Sequence, residues 1–304
     1  MTRSTACFVV LLMLAIASRP CQADQITLGD AAKYALFAGP KVNSFGFNGP
    51  SSIIGNVAVG ENGKINFASP ATIVGTLYED TGVTGSNSGV VPTGGIVTNF
   101  SLSSAVTAAQ NAATNAAALT ATGTVLGNTI VVTNPSQSVT FNGSAGQNVL
   151  KVTDLNLNNG NFTIHGTANE TFIIDVSGKF IVNGSANILL TGGVTADHVL
   201  FDITGTGQDV SITGNTTSLV NGTILALSRN ISIHDQTLDG AIIGAFGNSM
   251  TFSIQDTSGF QLNGETFNPP INPNLTTPAP SSFVLFGSGL LGLVIFGKLR
   301  RTTP

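Results

Sequence analysis

Residues 199–213 read VLFDITGTGQDVSIT and contain two kinds of β-strand. The first five, 199–203, are apolar at four of five positions, which is typical of a strand buried on both faces. The last four, 210–213, alternate apolar and polar side chains, which is typical of a strand with one solvent-facing side. A glycine-containing turn separates them. This succession of a doubly buried and a half-buried strand decides the fold.

The same succession recurs through the C-terminal half. Further apolar runs occupy residues 172–176, 223–227 and 241–245. Alternating segments start at Val210, Ile231 and Met250, about 20 residues apart. That period lies within the range of one coil of a β-solenoid. Because the strand type changes at each turn, the pattern favours a stacked parallel coil over a β-sandwich.

One alanine-rich segment, 101–120, has helical periodicity. Its apolar positions predict one buried face, and they are Leu102, Val106, Ala109, Ala113, Ala116 and Leu119. Alanine is the best helix former, and Ser101, Ser103 and Ser104 offer an N-cap. We therefore expect a long α-helix lying over the doubly buried strands at 172, 199, 223 and 241.

The charge and cysteine content restrict what the mature chain can be. The region between the terminal signals holds six basic and 15 acidic residues, a net charge of −9, which argues against nucleic acid as a partner. Both cysteines, Cys7 and Cys21, fall in the leader, so the mature chain would contain no disulfide. Only 9% of residues are charged, so amides and hydroxyls must keep the surface soluble.

The two ends read as targeting segments. Residues 1–23 have a basic start, a short apolar run and a small residue before Asp24, which predicts a cleaved signal peptide; an N-terminal transmembrane helix is the alternative. Residues 24–267 form the body, and 268–280 are a Pro/Thr-rich linker. Residues 281–304 predict an anchor, with a transmembrane helix at about 281–297 and a cytoplasmic basic tail.

The anchor resembles the PEP-CTERM sorting signal. The three parts of the resemblance are a proline pair, a small-residue apolar helix and a basic end, carried by Pro278, Ala279, Pro280, Gly287, Ser288, Gly289, Lys298, Arg300 and Arg301. Ala279 stands where the family has glutamate. The resemblance implies a Gram-negative host, inner-membrane anchoring, cleavage by an exosortase-type transpeptidase, and release to the cell surface or exopolysaccharide matrix. An uncleaved tail anchor is the alternative.

The body resembles two related families, the choice-of-anchor A adhesins and the ice-binding proteins built on a helix-flanked β-solenoid. The shared motifs are Leu28-Gly29-Asp30-Ala31-Ala32, Gly55-Asn56-Val57-Ala58-Val59-Gly60 and Asn221-Gly222-Thr223-Ile224-Leu225-Ala226. The resemblance covers 26 to about 260. It implies a mainly β fold, a parallel β-solenoid flanked by one long helix.

The sequence shows no catalytic motif. His165, His198 and His234 lack metal-site spacing, and His234-Asp235 reads as the exposed end of a strand. Asp175 and Asp202 occupy equivalent places in successive runs, so stacking would bring them together. Such a pair can raise one pKa or hold calcium, but hydrogen-bonded strand residues are the simpler interpretation. We expect no cofactor and assign no metal site beyond this weak candidate.

The candidate binding face is the solvent-facing side of the half-buried strands. Its hydroxyl-bearing positions are Thr163, Ser211, Thr213, Ser232, Thr251 and Ser253. Regular hydroxyls on a flat sheet can hydrogen-bond matrix polysaccharide or organise water, although Ser and Thr are also ordinary solvent-facing strand residues. The leading hypothesis is a non-enzymatic adhesive surface or matrix protein. An ice-binding protein is the alternative, and a polysaccharide-active enzyme is the third.

Overall fold

The computed structural model describes residues 25–67, 69–122, 127–215, 217–257 and 259–270. Within them, Gln25–Pro270 forms one compact unit. The predicted signal peptide and anchor, including the transmembrane helix expected at 281–297, lie outside the described residues. No helix among the described residues is long and apolar enough to cross a membrane.

The unit is a parallel β-solenoid with three sheets, each of nine strands. Sheet A, in spatial order, contains β10 (Ile96–Thr98), β7 (Leu77–Glu79), β4 (Asn56–Val59), β1 (Tyr34–Ala38), β25 (Ile242–Gly244), β22 (Thr223–Ala226), β19 (Val199–Ile203), β16 (Thr171–Val176) and β13 (Gln147–Val152).

Sheets B and C follow the same order along the stack. Sheet B contains β8 (Thr84–Ser86), β5 (Lys64–Phe67), β2 (Ser44–Asn48), β26 (Thr251–Gln255), β23 (Ile231–His234), β20 (Val210–Thr213), β17 (Phe180–Asn183), β14 (Asp154–Asn158) and β11 (Thr129–Val132). Sheet C contains β9 (Val90–Pro92), β6 (Ala71–Val74), β3 (Ser51–Ile54), β27 (Phe260–Asn263), β24 (Thr237–Asp239), β21 (Leu219–Asn221), β18 (Asn187–Thr191), β15 (Asn161–His165) and β12 (Ser138–Asn142).

The solenoid prediction is confirmed, with one more sheet than the strand pattern distinguished. The apolar runs form sheet A, whose strands β16 and β19 are buried at every position. Both B and C alternate buried and accessible side chains, as in β20 and β27. Each coil therefore passes from one doubly buried strand to two half-buried strands.

The chain enters the solenoid in the middle of the stack. Strand β1 pairs with β4 on one side and with β25, near the C-terminal end of the unit, on the other. The side-chain amide of Gln25 donates to the carbonyl oxygens of Pro269 and Pro270, at 3.0 and 2.7 Å. The first and last described residues are therefore neighbours.

The predicted helix is α1 (Ser103–Ala118), and it lies on the outer face of sheet A. Its apolar face joins Ile173, Leu200, Leu225 and Ile243, one from each of four successive strands, in one buried cluster. Two details differ from expectation. The fully buried positions are Ala105, Ala109, Ala112 and Ala116, whereas Val106 and Ala113 are only partly buried. Leu102, rather than a serine, occupies the N-cap; its apolar side chain cannot form a capping bond, and its backbone N–H donates to Asp80 Oδ2 at 2.9 Å.

The interior enclosed by the three sheets is apolar and rich in phenylalanine. Phe45 and Phe252 approach to 4.8 Å between ring centroids on adjacent strands, and Phe180 and Phe201 to 5.4 Å across the core. These rings are fully buried. The chain has no tryptophan. The repeated phenylalanine rings supply the large apolar core instead.

Glycine is required where the coil turns from sheet C back to sheet A. Gly240 has φ of +152°, and a Cβ there would lie 2.1 Å from the carbonyl oxygen of Gly222 in the neighbouring coil. A side chain at this corner would force the two coils apart.

Candidate functional site

The outer face of sheet B carries a straight column of register-matched side chains. Its centre is Ser211, Ser232 and Ser253, which are direct neighbours on β20, β23 and β26. Neighbouring parallel strands lie about 4.8 Å apart, so the backbone positions of the three serines repeat at that spacing. In stack order the full column is Val131, Asn156, Ile181, Ser211, Ser232, Ser253, Gly46, Asn66 and Ser86.

A second column runs beside the first. It consists of amide, hydroxyl and imidazole side chains, namely Asn158, Asn183, Thr213, His234, Gln255 and Asn48. The two columns contact each other, since Ser211 Oγ lies 3.3 Å from Thr213 Oγ1 and Gln255 Nε2 donates to Ser253 Oγ at 3.4 Å. Neither column contains a carboxylate, lysine or arginine. We call the two columns together the polar ladder.

Five of the six predicted face residues lie on sheet B, and Thr163 does not. Thr163 belongs to β15 of sheet C, where it pairs with Thr140 and Leu189. Thr251 lies at the start of β26 beside Ser44. The expectation of one common face is therefore wrong for Thr163, because two half-buried sheets have the same alternation and their sequences do not reveal which sheet a strand joins.

Asp175 and Asp202 are register-matched neighbours on β16 and β19, and they face the helix side of sheet A. Asp175 Oδ2 forms an ion pair with Lys151 Nζ at 3.0 Å, and Asp175 Oδ1 accepts a hydrogen bond from Thr204 Oγ1 at 3.2 Å. The ammonium of Lys151 also donates to the carbonyl oxygen of Ala117 in the last turn of α1. Asp175 is thus held by a cation and a hydroxyl.

Asp202 differs from its neighbour because it is only 1% exposed and its Oδ2 has no hydrogen-bond partner. Burial, with a further contribution from the charge on Asp175, raises the pKa of Asp202 to about 8. Its carboxyl group is therefore mostly protonated at neutral pH. In the described residues no group of three or more potential ligands could hold a metal ion.

The three histidines are not brought together. His165 Nδ1 contacts Thr191 Oγ1 at 3.0 Å on sheet C, His234 lies in the polar ladder on sheet B, and His198 lies 3.9 Å from the Asp197 carboxylate. Asp235, next to His234, accepts hydrogen bonds from the backbone and the hydroxyl of Thr257, each at 2.6 Å. These contacts stabilise local turns and strand pairs.

A groove of about 410 Å³ lies between α1 and the strand ends of sheet A, and we call it the helix groove. Its lining includes the hydroxyl or amide side chains of Gln110, Thr114, Thr204 and Ser228, the apolar side chains of Leu227 and Phe246, and the carboxyl group of Asp202. The sequence interpretation missed it. The available signal was the polar pair Gln110 and Thr114, spaced i,i+4 on the face of α1 next to its alanine stripe.

The fold and the face define a class of protein, a helix-flanked β-solenoid whose sheet B carries a ladder of mostly polar, uncharged side chains on its outer face. Residues 23–269 match the protein family described as "Putative Ice-binding-like adhesive domain". The chain belongs to this family. No curated protein matches it significantly.

Solved ice-binding proteins share the architecture. One, from an Antarctic biological consortium, is 21% identical with a TM-score of 0.51, and the match covers 77% of this chain and 90% of that one. Another, from the Antarctic ascomycete Antarctomyces psychrotrophicus, is 18% identical with a TM-score of 0.49, covering 81% and 99%. A third, from an Antarctic Flavobacteriaceae bacterium, is 16% identical with a TM-score of 0.49, covering 81% and 49%. At such identities the likeness concerns the fold.

Proposed function

We propose that the body is a non-enzymatic adhesive module that binds matrix polysaccharide on the polar ladder of sheet B. The observation that carries the proposal is the register of Ser211, Ser232 and Ser253 with the amide column beside them. Hydroxyls and amides both donate and accept hydrogen bonds, as sugar hydroxyls do. Strands hold them rigidly, so little side-chain freedom is lost on binding.

Repetition supports adhesion over tight binding of a small molecule. The first column of the ladder extends over nine strands, about 40 Å at the usual strand spacing, and six of its nine positions carry a hydroxyl or amide side chain. A polymer lying along it would make many weak contacts at once, and linked contacts raise overall affinity far above that of each one. The absence of charge from the ladder suits a neutral or weakly charged polymer.

The test is retention of the purified chain on insoluble cellulose and on exopolysaccharide prepared from the host. Ser232→Glu places a carboxylate in the centre of the ladder, and we expect at least a tenfold loss of retention. Thr163→Glu is the matched control, because Thr163 is a similarly half-buried hydroxyl residue on sheet C. Equal retention of the parent and Ser232→Glu would rule out sheet B as the adhesive face.

Export and surface anchoring are part of the proposal. The leader at 1–23 and the PEP-CTERM-like anchor at 281–304 support it, with an exosortase-type transpeptidase as the processing partner and the inner membrane as the transient attachment site. Intact-mass analysis of protein from envelope and medium tests it. Released chains that begin at Asp24 and end near Pro280 would support processing, whereas an intact membrane-bound chain would mean a permanent anchor.

Ice binding is the second candidate, and the family description and the structural neighbours favour it more directly than they favour polysaccharide binding. The observation that favours ice binding is the regularly spaced serine column, since a flat array of hydroxyls can order water. His234 and Gln255 interrupt the array with longer side chains. Thermal hysteresis and ice-recrystallisation assays at micromolar protein decide: activity lost in Ser232→Glu and kept in Thr163→Glu would establish this candidate.

A further inference from the structure

We propose that the helix groove is a second binding site, which takes a neutral polyol such as a monosaccharide or the end residue of a polysaccharide and pairs one ligand hydroxyl with the carboxyl group of Asp202. The groove lies on the sheet A side of the solenoid, whereas the polar ladder lies on sheet B. The proposal therefore goes beyond the adhesive face and does not depend on it.

The first support is the unpartnered carboxyl oxygen. Asp202 lines the groove, and its buried Oδ2 has no hydrogen-bond partner, while its neighbour Asp175 has both oxygens engaged. A buried polar atom that lacks a partner costs about 1–3 kcal/mol. A ligand hydroxyl in the groove would supply the missing hydrogen bond.

The second support is the chemistry of the lining. The exposed side chains of Gln110, Thr114 and Ser228 lie at the rim, and Thr204 lies beside Asp202. Leu227 and Phe246 form an apolar wall. Hydroxyl and amide groups opposite an apolar wall suit a sugar ring, which has hydroxyls at its edge and C–H groups on its faces. The volume of about 410 Å³ falls within the range of small-molecule sites.

Charge argues for a neutral ligand. On sheet A, Asp202 is faced by Asp175 on β16, and the charge of Asp175 is offset by Lys151 on β13. Helix α1 contains no ionisable side chain, and the lining residues from the segments after β19, β22 and β25 are also uncharged. None of the residues that line the groove is a cation that could bind an anion. Because burial raises the pKa of Asp202, its protonated carboxyl can both donate to and accept from a ligand hydroxyl at neutral pH.

The experiment titrates the purified full chain with glucose, mannose, galactose and N-acetylglucosamine and with their trisaccharides, by calorimetry and ligand-detected NMR at pH 6 and pH 9.5. We expect saturable binding at pH 6 and at least tenfold weaker binding at pH 9.5, where Asp202 is ionised. Asp202→Asn, which stays neutral, should bind equally at both pH values. Stronger binding of trisaccharides would identify a chain end as the ligand, and equal binding a free sugar.

A matched pair on the helix locates the site. Thr114 and Thr107 both donate to the carbonyl four residues earlier, at 2.8 and 2.9 Å, but only Thr114 lines the groove. Thr114→Val should weaken binding several-fold, and Thr107→Val should leave it unchanged.

Three results would overturn the proposal: no saturable binding of any sugar at pH 6, equal loss in Thr114→Val and Thr107→Val, or binding of CaCl₂ alone that Asp202→Asn abolishes. Ser232→Glu should bind monosaccharides normally. A failure of the groove and a failure of the adhesive face are therefore distinguishable.

Discussion

The guanidinium of Arg229 donates a 2.9 Å hydrogen bond from Nη2 to the carbonyl oxygen of Ser177, which lies 52 residues earlier and two coils away. The same side chain donates to the carbonyls of Thr204, Gly205 and Gln208 in the intervening coil. Arg229 is only 1% exposed, and burial lowers its pKa. One cation therefore joins three successive corners between sheets A and B.

Replacing Arg229 with Met should destabilise the unit by about 3 kcal/mol or more, because four carbonyls lose a charged donor and remain largely buried. Arg229→Lys should recover only part of the loss, since an ammonium cannot span four acceptors. Urea denaturation measures both. Lys64→Met, at an exposed site, is the control and should change stability by no more than about 0.5 kcal/mol. A similar effect at both sites would contradict the role of Arg229.

The unit should lose stability with rising pH because of Asp202. Its pKa is about 8 in the folded chain, well above the ordinary value of 3.8 for an aspartate carboxyl group. Between about pH 4 and pH 8 the folded chain keeps a proton that the unfolded chain has released, so stability falls as pH rises through this window and the loss is complete above it.

Asp202→Asn has no such proton and should show a flatter stability profile, with a higher urea midpoint than the parent at pH 9. Exposed Glu61→Gln should follow the parent profile. If Asp202→Asn and the parent vary in parallel from pH 4 to pH 9, the carboxyl group is not protonated in the fold.

The contact between α1 and sheet A should tolerate no larger side chain. Ala109 is fully buried in that contact, so Ala109→Leu should cost about 1–3 kcal/mol through overpacking. Asn111→Leu adds an apolar side chain on the exposed side of the same helix and should be nearly neutral. Equal midpoints for the two variants in thermal unfolding would mean that the helix is not packed tightly on the sheet.

The interior phenylalanines should dominate the stability of each coil. Phe201 is fully buried beside Phe180, and Phe201→Ala should cost about 3–5 kcal/mol. Phe100 is 41% exposed and meets only the ring of Tyr78 among aromatic side chains in the described residues, so Phe100→Ala should cost at most about 1.5 kcal/mol. Chemical denaturation of both variants checks the difference, and a reversed order would contradict the core assignment.

The sequence predicts those parts of the fold that follow from periodicity within one segment. The buried runs of β16 and β19 and the alanine stripe of α1 are patterns within one segment, so they could be predicted. The assignment of Thr163 to sheet C depends on how a coil closes in space, and periodicity carries no such information. The helix groove arises where Thr114, Thr204 and Phe246 meet, and these residues are far apart in the chain.

The pairing of β1 with β25 has a consequence for how the protein is made. Leu36 is a direct neighbour of Ile242, about 200 residues later, so nearly the whole body must be present before the stack can close. Until then the β1–β10 coils and the β11–β24 coils are separate blocks with unpaired strand edges, which are prone to mispairing. In most repeat proteins each repeat contacts only its neighbours, so removal of an end repeat leaves the others stacked. In this one, loss of the final coil would remove the layer that joins its two halves.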